Sequence, residues 1–354
     1  MTSVLHIITT IKRGGAENQL LVLVKEQVRS GFAVHIAYLK DEPELSREFE
    51  SAGANVHHSI ANIKPFKQPL RLRKLLKNEI SIVHAHLPRA ELVALLCPSR
   101  FKLISSRHNA EPFFPKAPKF VSNFLSRLVS MRAHAIIAIS SAVRDFLIER
   151  GEIKDKTKIK VVLYGYIRNS GSSRKRINQS NFMIRIGTVS RLTDQKDIPT
   201  MLGAFGKYLE IIPNAKLSIV GSGHLEQPLS IMAAKMFPAE TVTFLGRSDR
   251  IHDFMSGLDV FILTSKYEGF GMVLLEAMDA GVPIVASRNS AIPEVLGSDF
   301  PGLCRTGDSA DFSMKISLLN DFEYRKMVLE EQEKRLGMFD SKSMAENVSL
   351  IYLN

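Results

Sequence analysis

The chain has 354 residues, enough for two hydrophobic cores, and its 45% hydrophobic and 23% charged content excludes a disordered or fibrous chain. Forty-seven basic against 36 acidic residues leave a net charge of +11, which points to an anionic partner: nucleic acid, an acidic membrane surface or a phosphorylated ligand. The two cysteines, Cys97 and Cys304, stand far apart in no metal-ligand spacing, which argues against a disulfide framework and for a reducing compartment.

The first residues lack the basic stretch and long apolar run of a signal peptide, and no run of about eighteen apolar residues predicts a membrane-spanning helix. Residues 4–8 form a β-branched run that ends in Arg13-Gly14-Gly15-Ala16-Glu17. Leu20, Leu21, Leu23, Val24 and Val28 then recur at helical spacing, so the segment reads as strand, glycine turn, helix. Strands follow at 34–39, 56–58, 80–84, 103–105 and 135–139, most of them separated by helical patterns such as 45–52. Residues 168–176 are polar, with no apolar periodicity, and read as an exposed linker. The alternation restarts with strands at 183–189, 215–220, 242–245, 260–263 and 283–286, and a helix at 199–212. Strands alternating with helices predict a parallel sheet covered on both faces, here twice in tandem.

The strongest chemical signal is Glu268-Gly269-Phe270-Gly271-Met272-Val273, continuing through Glu276. A strand runs into a loop with two glycines, and a helix begins near Met272 and ends at Ala280-Gly281. Glycines let backbone N–H groups approach a ligand, and a helix N-terminus favours anions. Glu276, inside the helix, is suited to accept hydrogen bonds from ribose hydroxyls. Arg191 and Lys196 lie at the end of another strand, where open α/β sheets bind ligands, and two cations there could neutralise a departing diphosphate.

These segments resemble the Glu-x7-Glu motif and the Arg/Lys pair of the retaining glycosyltransferases of family four, which have the GT-B fold. The resemblance implies an α/β protein with two facing Rossmann-like domains and a central interdomain cleft. It places Glu268 by the donor sugar, Glu276 on the nucleotide ribose, and Arg191 and Lys196 on the donor diphosphate. Gly14-Gly15-Ala16-Glu17 is similar to the family's loop facing donor phosphates and acceptor, Gly221 belongs to a similar glycine turn, and Phe244 to Arg247 fit a base-side strand and turn. Ser105-Ser106-Arg107-His108-Asn109 resembles the segment that brings a histidine, here His108, near the transferred sugar. His86, with Glu17, Arg107 and Asn109, is then an acceptor-side candidate. Gly269, Phe270, Gly271, Met272 and Val273 complete the expected donor site. The family usually has Asn-Gly where this chain reads Tyr164-Gly165.

The implied division is an acceptor domain over 1–167, a linker over 168–181 and a donor domain over 182–337, with a C-terminal helix over about 338–354 packing back on the first. The implied activity is metal-independent, cofactor-free, configuration-retaining transfer of a hexose or N-acetylhexosamine from a nucleotide sugar, UDP-linked by preference. The acceptor would be a lipid-linked, lipopolysaccharide or polysaccharide glycan. GDP-mannose-dependent mannosyl transfer, and an epimerase or phosphorylase on the same fold, are the alternatives. Residues 63–77 and 113–120 mix cations with leucine and phenylalanine, a composition suited to an anionic bilayer surface and hence to a cytoplasmic, peripherally bound enzyme. Aromatic stacking motifs and zinc fingers, the marks of a nucleic-acid binder, are missing, and Gly14-Gly15 does not supply the Gly-x-Gly-x-x-Gly of a nicotinamide dehydrogenase.

Overall fold

A computed structural model of the chain describes residues 2–76, 80–169 and 183–353. Most of the expected linker, residues 170–181, therefore lies outside the described residues, as does Lys77 of the basic segment. The chain divides into two units: residues 1–167 with 339–354, and residues 168–338.

In the first unit the elements run β1 (Ser3–Ile8), α1 (Gly15–Arg29), β2 (Ala33–Tyr38), α2 (Ser46–Ser51), β3 (Asn55–His57), α3 (Gln68–Leu75) and β4 (Ile82–His86). They continue with α4 (Pro88–Leu95), β5 (Lys102–Arg107), α5 (Lys119–Arg132), β6 (Ala135–Ala138), α6 (Ser141–Glu149) and β7 (Ile159–Val161). The strands form one parallel sheet in the order β3-β2-β1-β4-β5-β6-β7. Every residue of β1 and β4 is buried, as a sheet with both faces covered requires.

The second unit carries β8 (Arg185–Val189), α7 (Ile198–Leu209), β9 (Lys216–Val220), α8 (Glu226–Met236), β10 (Val242–Gly246) and α9 (Ile251–Ser256). It goes on with β11 (Val260–Leu263), α10 (Met272–Asp279), β12 (Ile284–Ser287), α11 (Ile292–Leu296), β13 (Leu303–Cys304), α12 (Ser309–Leu318) and α13 (Phe322–Leu336). Its sheet runs β10-β9-β8-β11-β12-β13, also parallel. In both sheets the first strand has neighbours reached by connections of opposite sense, so the crevice beyond its carboxyl end is the switch point where open α/β folds take ligands.

The last helix, α14 (Ser341–Leu353), returns to the first unit. Its stripe of Met344, Ala345, Val348 and Tyr352 is buried, and it packs along α1. Tyr166 N–H donates to the Phe339 carbonyl at 2.8 Å, and Gly165 lies so close to the turn before α14 that a Cβ there would sit 2.5 Å from Ser341 Cα. Two short strands, β7 and β13, of three and two residues, were not expected from the sequence. The helix expected over 199–212 is α7, launched by Asp197 in a left-handed conformation at φ 48°.

Candidate functional site

In the second unit, β8 and β11 are neighbours, and their carboxyl ends bring together segments 190–197 and 264–271. The contact is a zipper of side chain to backbone bonds. Thr264 Oγ1 donates to the carbonyls of Lys196 and Asp197 at 2.9 and 3.0 Å. The Gln195 amide donates to the Tyr267 carbonyl at 2.8 Å, while Lys266 N–H donates to the Gln195 carbonyl at 2.8 Å. Arg191 donates to Gln195 Oε1 at 3.3 Å and is otherwise exposed. Behind this turn lies Gly221, at φ +132°, where a Cβ would sit 1.9 Å from the Ser190 carbonyl oxygen; at Gly223 it would sit 2.2 Å from that of Leu192. Only glycine lets the two backbones meet there.

Glu268 is the centre of the site. Its Oε1 accepts from Lys196 Nζ at 2.5 Å and from Ser265 Oγ at 2.6 Å, with only 6% of the residue exposed. Its carbonyl accepts from Ser290 Oγ at 2.7 Å, and Asn289 donates to the Lys266 carbonyl at 2.6 Å, so the loop after β12 braces the loop after β11. Phe270 is buried and anchors the glycine loop, and Gly271, at φ +93°, caps α10 and leaves Met272 and Val273 half-buried on its first turn. Glu276 follows one turn along. Burial raises its carboxyl pKa, and it has no hydrogen-bond or ion-pair partner among the described residues. A desolvated, partnerless carboxylate is costly to keep unless a ligand supplies donors.

The structure thus joins Arg191, Lys196, Glu268, the Gly269–Gly271 loop and the start of α10 in one place, with Gly221 packed beneath. Gln195, Asn289 and Ser290, which hold this arrangement, were not singled out from sequence; they are ordinary polar loop residues there.

The other expected residues lie in the first unit. Gly14 caps α1 with an extended backbone at φ −158°, where a Cβ would sit 2.5 Å from Glu17 Oε2, whereas a Cβ on Gly15 would meet nothing within 4 Å; neither glycine is demanded by a left-handed backbone. Beside them Glu17 accepts from Thr10 Oγ1 at 2.8 Å, and burial raises its pKa. Asn109 is exposed and donates to Glu111 at 2.9 Å. Arg107, expected on the acceptor side, is turned inward instead. It is 5% exposed, pairs with Glu91 at 2.9 Å and Glu152 at 3.5 Å, donates to Ser126 at 3.0 Å, and lies under the Phe113 ring. Two buried carboxylates claim its guanidinium, so it holds the end of β5 and does not present a cation to a ligand. Burial pushes the Glu91 carboxyl up, with Arg107 opposing that shift.

His86 and His108 stand at the carboxyl ends of β4 and β5 and are hydrogen-bonded to each other, His86 Nδ1 to His108 Nε2 at 3.0 Å. His108 Nδ1 meets the Tyr164 hydroxyl. Burial lowers the His108 pKa to about 3 and holds that of His86 well below its ordinary value, so both rings are neutral. His6, His84 and His86 place one ligand atom each within 4.8 Å of one another, the metal-like cluster among the described residues. Their ring nitrogens already have partners: His6 Nδ1 with His86 Nε2 at 3.0 Å, and His84 with Tyr352 and Ser106 at 2.6 and 2.7 Å.

Residues 13–166 match the family model described as Glycosyltransferase Family 4, and residues 169–335 match that described as Glycosyl transferases group 1. The chain belongs to glycosyltransferase family 4. This glycosyltransferase is 28% identical over 301 residues to the N-acetyl-alpha-D-glucosaminyl L-malate synthase of Bacillus anthracis, covering 78% of this chain and 75% of that one. It is 22% identical over 354 residues to the phosphatidylinositol N-acetylglucosaminyltransferase gpi3 subunit of Schizosaccharomyces pombe, covering 96% of this chain and 77% of that protein. Among solved structures, Anabaena Alr3699/HepE in complex with UDP-glucose superposes with a TM-score of 0.82 at 21% identity over 99% of this chain and 98% of that one. TarM superposes with a TM-score of 0.80 at 11% identity over 100% and 99%. At these identities the likeness speaks for the GT-B fold.

Proposed function

We propose that the chain transfers a hexose or N-acetylhexosamine from a nucleotide sugar, UDP-linked by preference, to a glycan acceptor with retention of configuration and no metal. The observation that carries this reading is the Lys196–Glu268 pair at the β8/β11 switch point, beside the start of α10 and the partnerless Glu276. The site offers two cations and a helix N-terminus to a diphosphate and a desolvated carboxylate to a ribose. Anabaena HepE, solved with UDP-glucose, lends support to the UDP preference.

In this reading Arg191, Lys196 and the N–H groups opening α10 stabilise the charge that develops on the departing nucleoside diphosphate, the work a metal would otherwise do. Glu268, tied to Lys196 and Ser265, positions the sugar. The acceptor hydroxyl attacks from the face the diphosphate leaves, and a leaving phosphate oxygen takes its proton, so no separate general base is required. Glu276 holds the ribose hydroxyls.

The acceptor is proposed to be lipid-linked or of lipopolysaccharide or polysaccharide type, met at the cytoplasmic surface of an anionic membrane. Phe66 just before α3 and Leu70 in its first turn are 70% and 60% exposed, and Phe120 and Phe124 on α5 are 74% and 59% exposed. Lys64, Lys67, Arg71, Lys116 and Lys119 interleave them, and both helices pack against α4. Phe113, by contrast, is core. No helix among the described residues is long and apolar enough to cross a membrane.

A thermal-shift screen of UDP-, GDP- and ADP-sugars tests the donor. Stabilisation by UDP-sugars alone supports the reading. A response to GDP-mannose alone turns it to mannosyl transfer, and no response to any of them removes it. Product analysis then separates glycosyl transfer from epimerisation or phosphorolysis.

A further inference from the structure

Eight buried or half-buried side chains of the first unit form one continuous hydrogen-bond chain. From the carboxyl end of β5 it runs Tyr164 hydroxyl, His108 Nδ1, His108 Nε2, His86 Nδ1 at 3.0 Å, His86 Nε2, His6 Nδ1 at 3.0 Å, His6 Nε2, Gln27 Oε1 at 2.8 Å. It continues from Gln27 Nε2 to the Tyr352 hydroxyl at 3.2 Å, from there to His84 Nδ1 at 2.6 Å, and from His84 Nε2 to Ser106 Oγ at 2.7 Å. Strand pairing places the rings: His6 is opposite His84 and Ser106 opposite His86, while Gln27 on α1 and Tyr352 on α14 reach down from the covering helices.

One group in this chain cannot choose its role. The Gln27 carbonyl oxygen only accepts, so His6 Nε2 carries a proton and donates to it. A neutral imidazole has one N–H, so His6 Nδ1 is a lone pair and must receive Nε2–H of His86. His86 Nδ1 must then receive Nε2–H of His108, and His108 Nδ1 must receive the Tyr164 hydroxyl proton. On the other arm the Gln27 amide N–H donates to Tyr352, Tyr352 donates to His84 Nδ1, and His84 Nε2–H donates to Ser106. Each bond has one donor and one acceptor, and turning the Gln27 amide over would reverse all of them. Because that amide neither accepts a proton at nitrogen nor gives one up, proton relay stops at Gln27, and the chain carries orientation, not protons.

We propose that Gln27 is a positioning residue for the transfer reaction, its amide fixing His108 as the neutral Nε2–H tautomer through His6 and His86. His108 then shows a lone pair at Nδ1, held by Tyr164, so a sugar hydroxyl that takes the place of Tyr164 meets an acceptor and must donate. In this chain the donor to His108 is a phenol. The kinetic consequence rests on reading His108 as a substrate-facing group; the tautomer assignment does not.

The test is long-range proton–nitrogen correlation NMR on the full-length protein carrying nitrogen-15 histidine, assigned with single histidine variants. Wild type is expected to show His6, His84, His86 and His108 as Nε2–H tautomers. Gln27→Met should convert His108 to a mixture of tautomers and lower kcat roughly tenfold or more while leaving the donor KM unchanged, because Gln27 touches no substrate. Gln27→Glu, which still accepts from His6, should keep the His108 tautomer and most of kcat, and should turn His84 into the Nδ1–H form. An Nδ1–H His108 in wild type overturns the proposal, and that spectrum decides even if Gln27→Met does not fold. An unchanged His108 tautomer in Gln27→Met, or a loss in Gln27→Glu as large as in Gln27→Met, overturns it as well. A His108→Ala enzyme with wild-type kcat would remove the catalytic reading of His108 and leave the tautomer assignment standing.

Discussion

Lowering the pH from 7.5 to 5.5 should selectively destabilise the first unit. Four histidines are buried neutral in its sheet: burial lowers the pKa of His6 to about 4 and of His108 to about 3, and holds His84 and His86 well below the ordinary value. Unfolded, each returns to about 6.5. Between those values the unfolded chain binds protons that the native chain refuses, so stability is whole above about pH 7 and falls as pH drops toward the folded values. Each histidine contributes roughly 1.3 kcal/mol of that loss between pH 7.5 and 5.5, and four together about 5 kcal/mol, a large share of a domain's usual 5–15. Glu91, whose pKa is raised by burial, works in the opposite sense and offsets part of it. The chain has no tryptophan, so the assay is pulse proteolysis in urea, read by mass spectrometry on peptides from β4 and β5 against peptides from β11 and β12. His84→Asn should remove about a quarter of the pH slope whatever its effect at fixed pH. A first-unit unfolding free energy constant within about 1 kcal/mol across this pH range would refute the reasoning.

Glu276→Ala should weaken nucleotide binding by about 1–3 kcal/mol, read by calorimetry, while Glu276→Gln leaves the protein as stable or slightly more so, since the native carboxylate has no partner. Lys196→Ala strands the 6%-exposed Glu268 without its cation and should lower kcat by about a hundredfold or more in steady-state assays. Gly221→Ala forces a Cβ to 1.9 Å from the Ser190 carbonyl at φ +132° and should destabilise the second unit by about 3 kcal/mol or more, seen as a lower melting temperature and lost donor binding. Replacing Phe66 and Phe120 by serine should reduce binding to anionic liposomes at low salt; equal partition of wild type onto neutral and anionic vesicles would count against a membrane role.

The gathering of the second-unit candidates was legible because they are local in sequence. Glu268, the two glycines and Glu276 lie within one strand-loop-helix, and the fold adds only their meeting with Lys196 across the switch point. The zipper residues were not legible: Gln195, Asn289 and Ser290 act through backbone carbonyls far away in sequence, and any polar loop residue looks alike until that carbonyl is placed. Arg107 misled for the same reason, since nothing beside it announces Glu91 and Glu152. The histidine chain left a faint trace. His6 interrupts a β-branched strand, and Gln27 sits in the apolar stripe of α1 three residues after Val24 and four after Leu23. A polar group at a core position is a sign of a hydrogen bond still to be found.

Because α14 completes the first unit, that unit is not finished when its own 167 residues have been made. On the ribosome, β1 and β4 must wait through the whole synthesis of the second unit before Tyr352 arrives to satisfy His84 and Gln27. The second unit, contiguous from 168 to 338, can close as soon as it emerges. The second unit can thus be complete before the first, and a nascent chain stalled before α14 would leave one face of α1 uncovered and His84 without its Tyr352 partner.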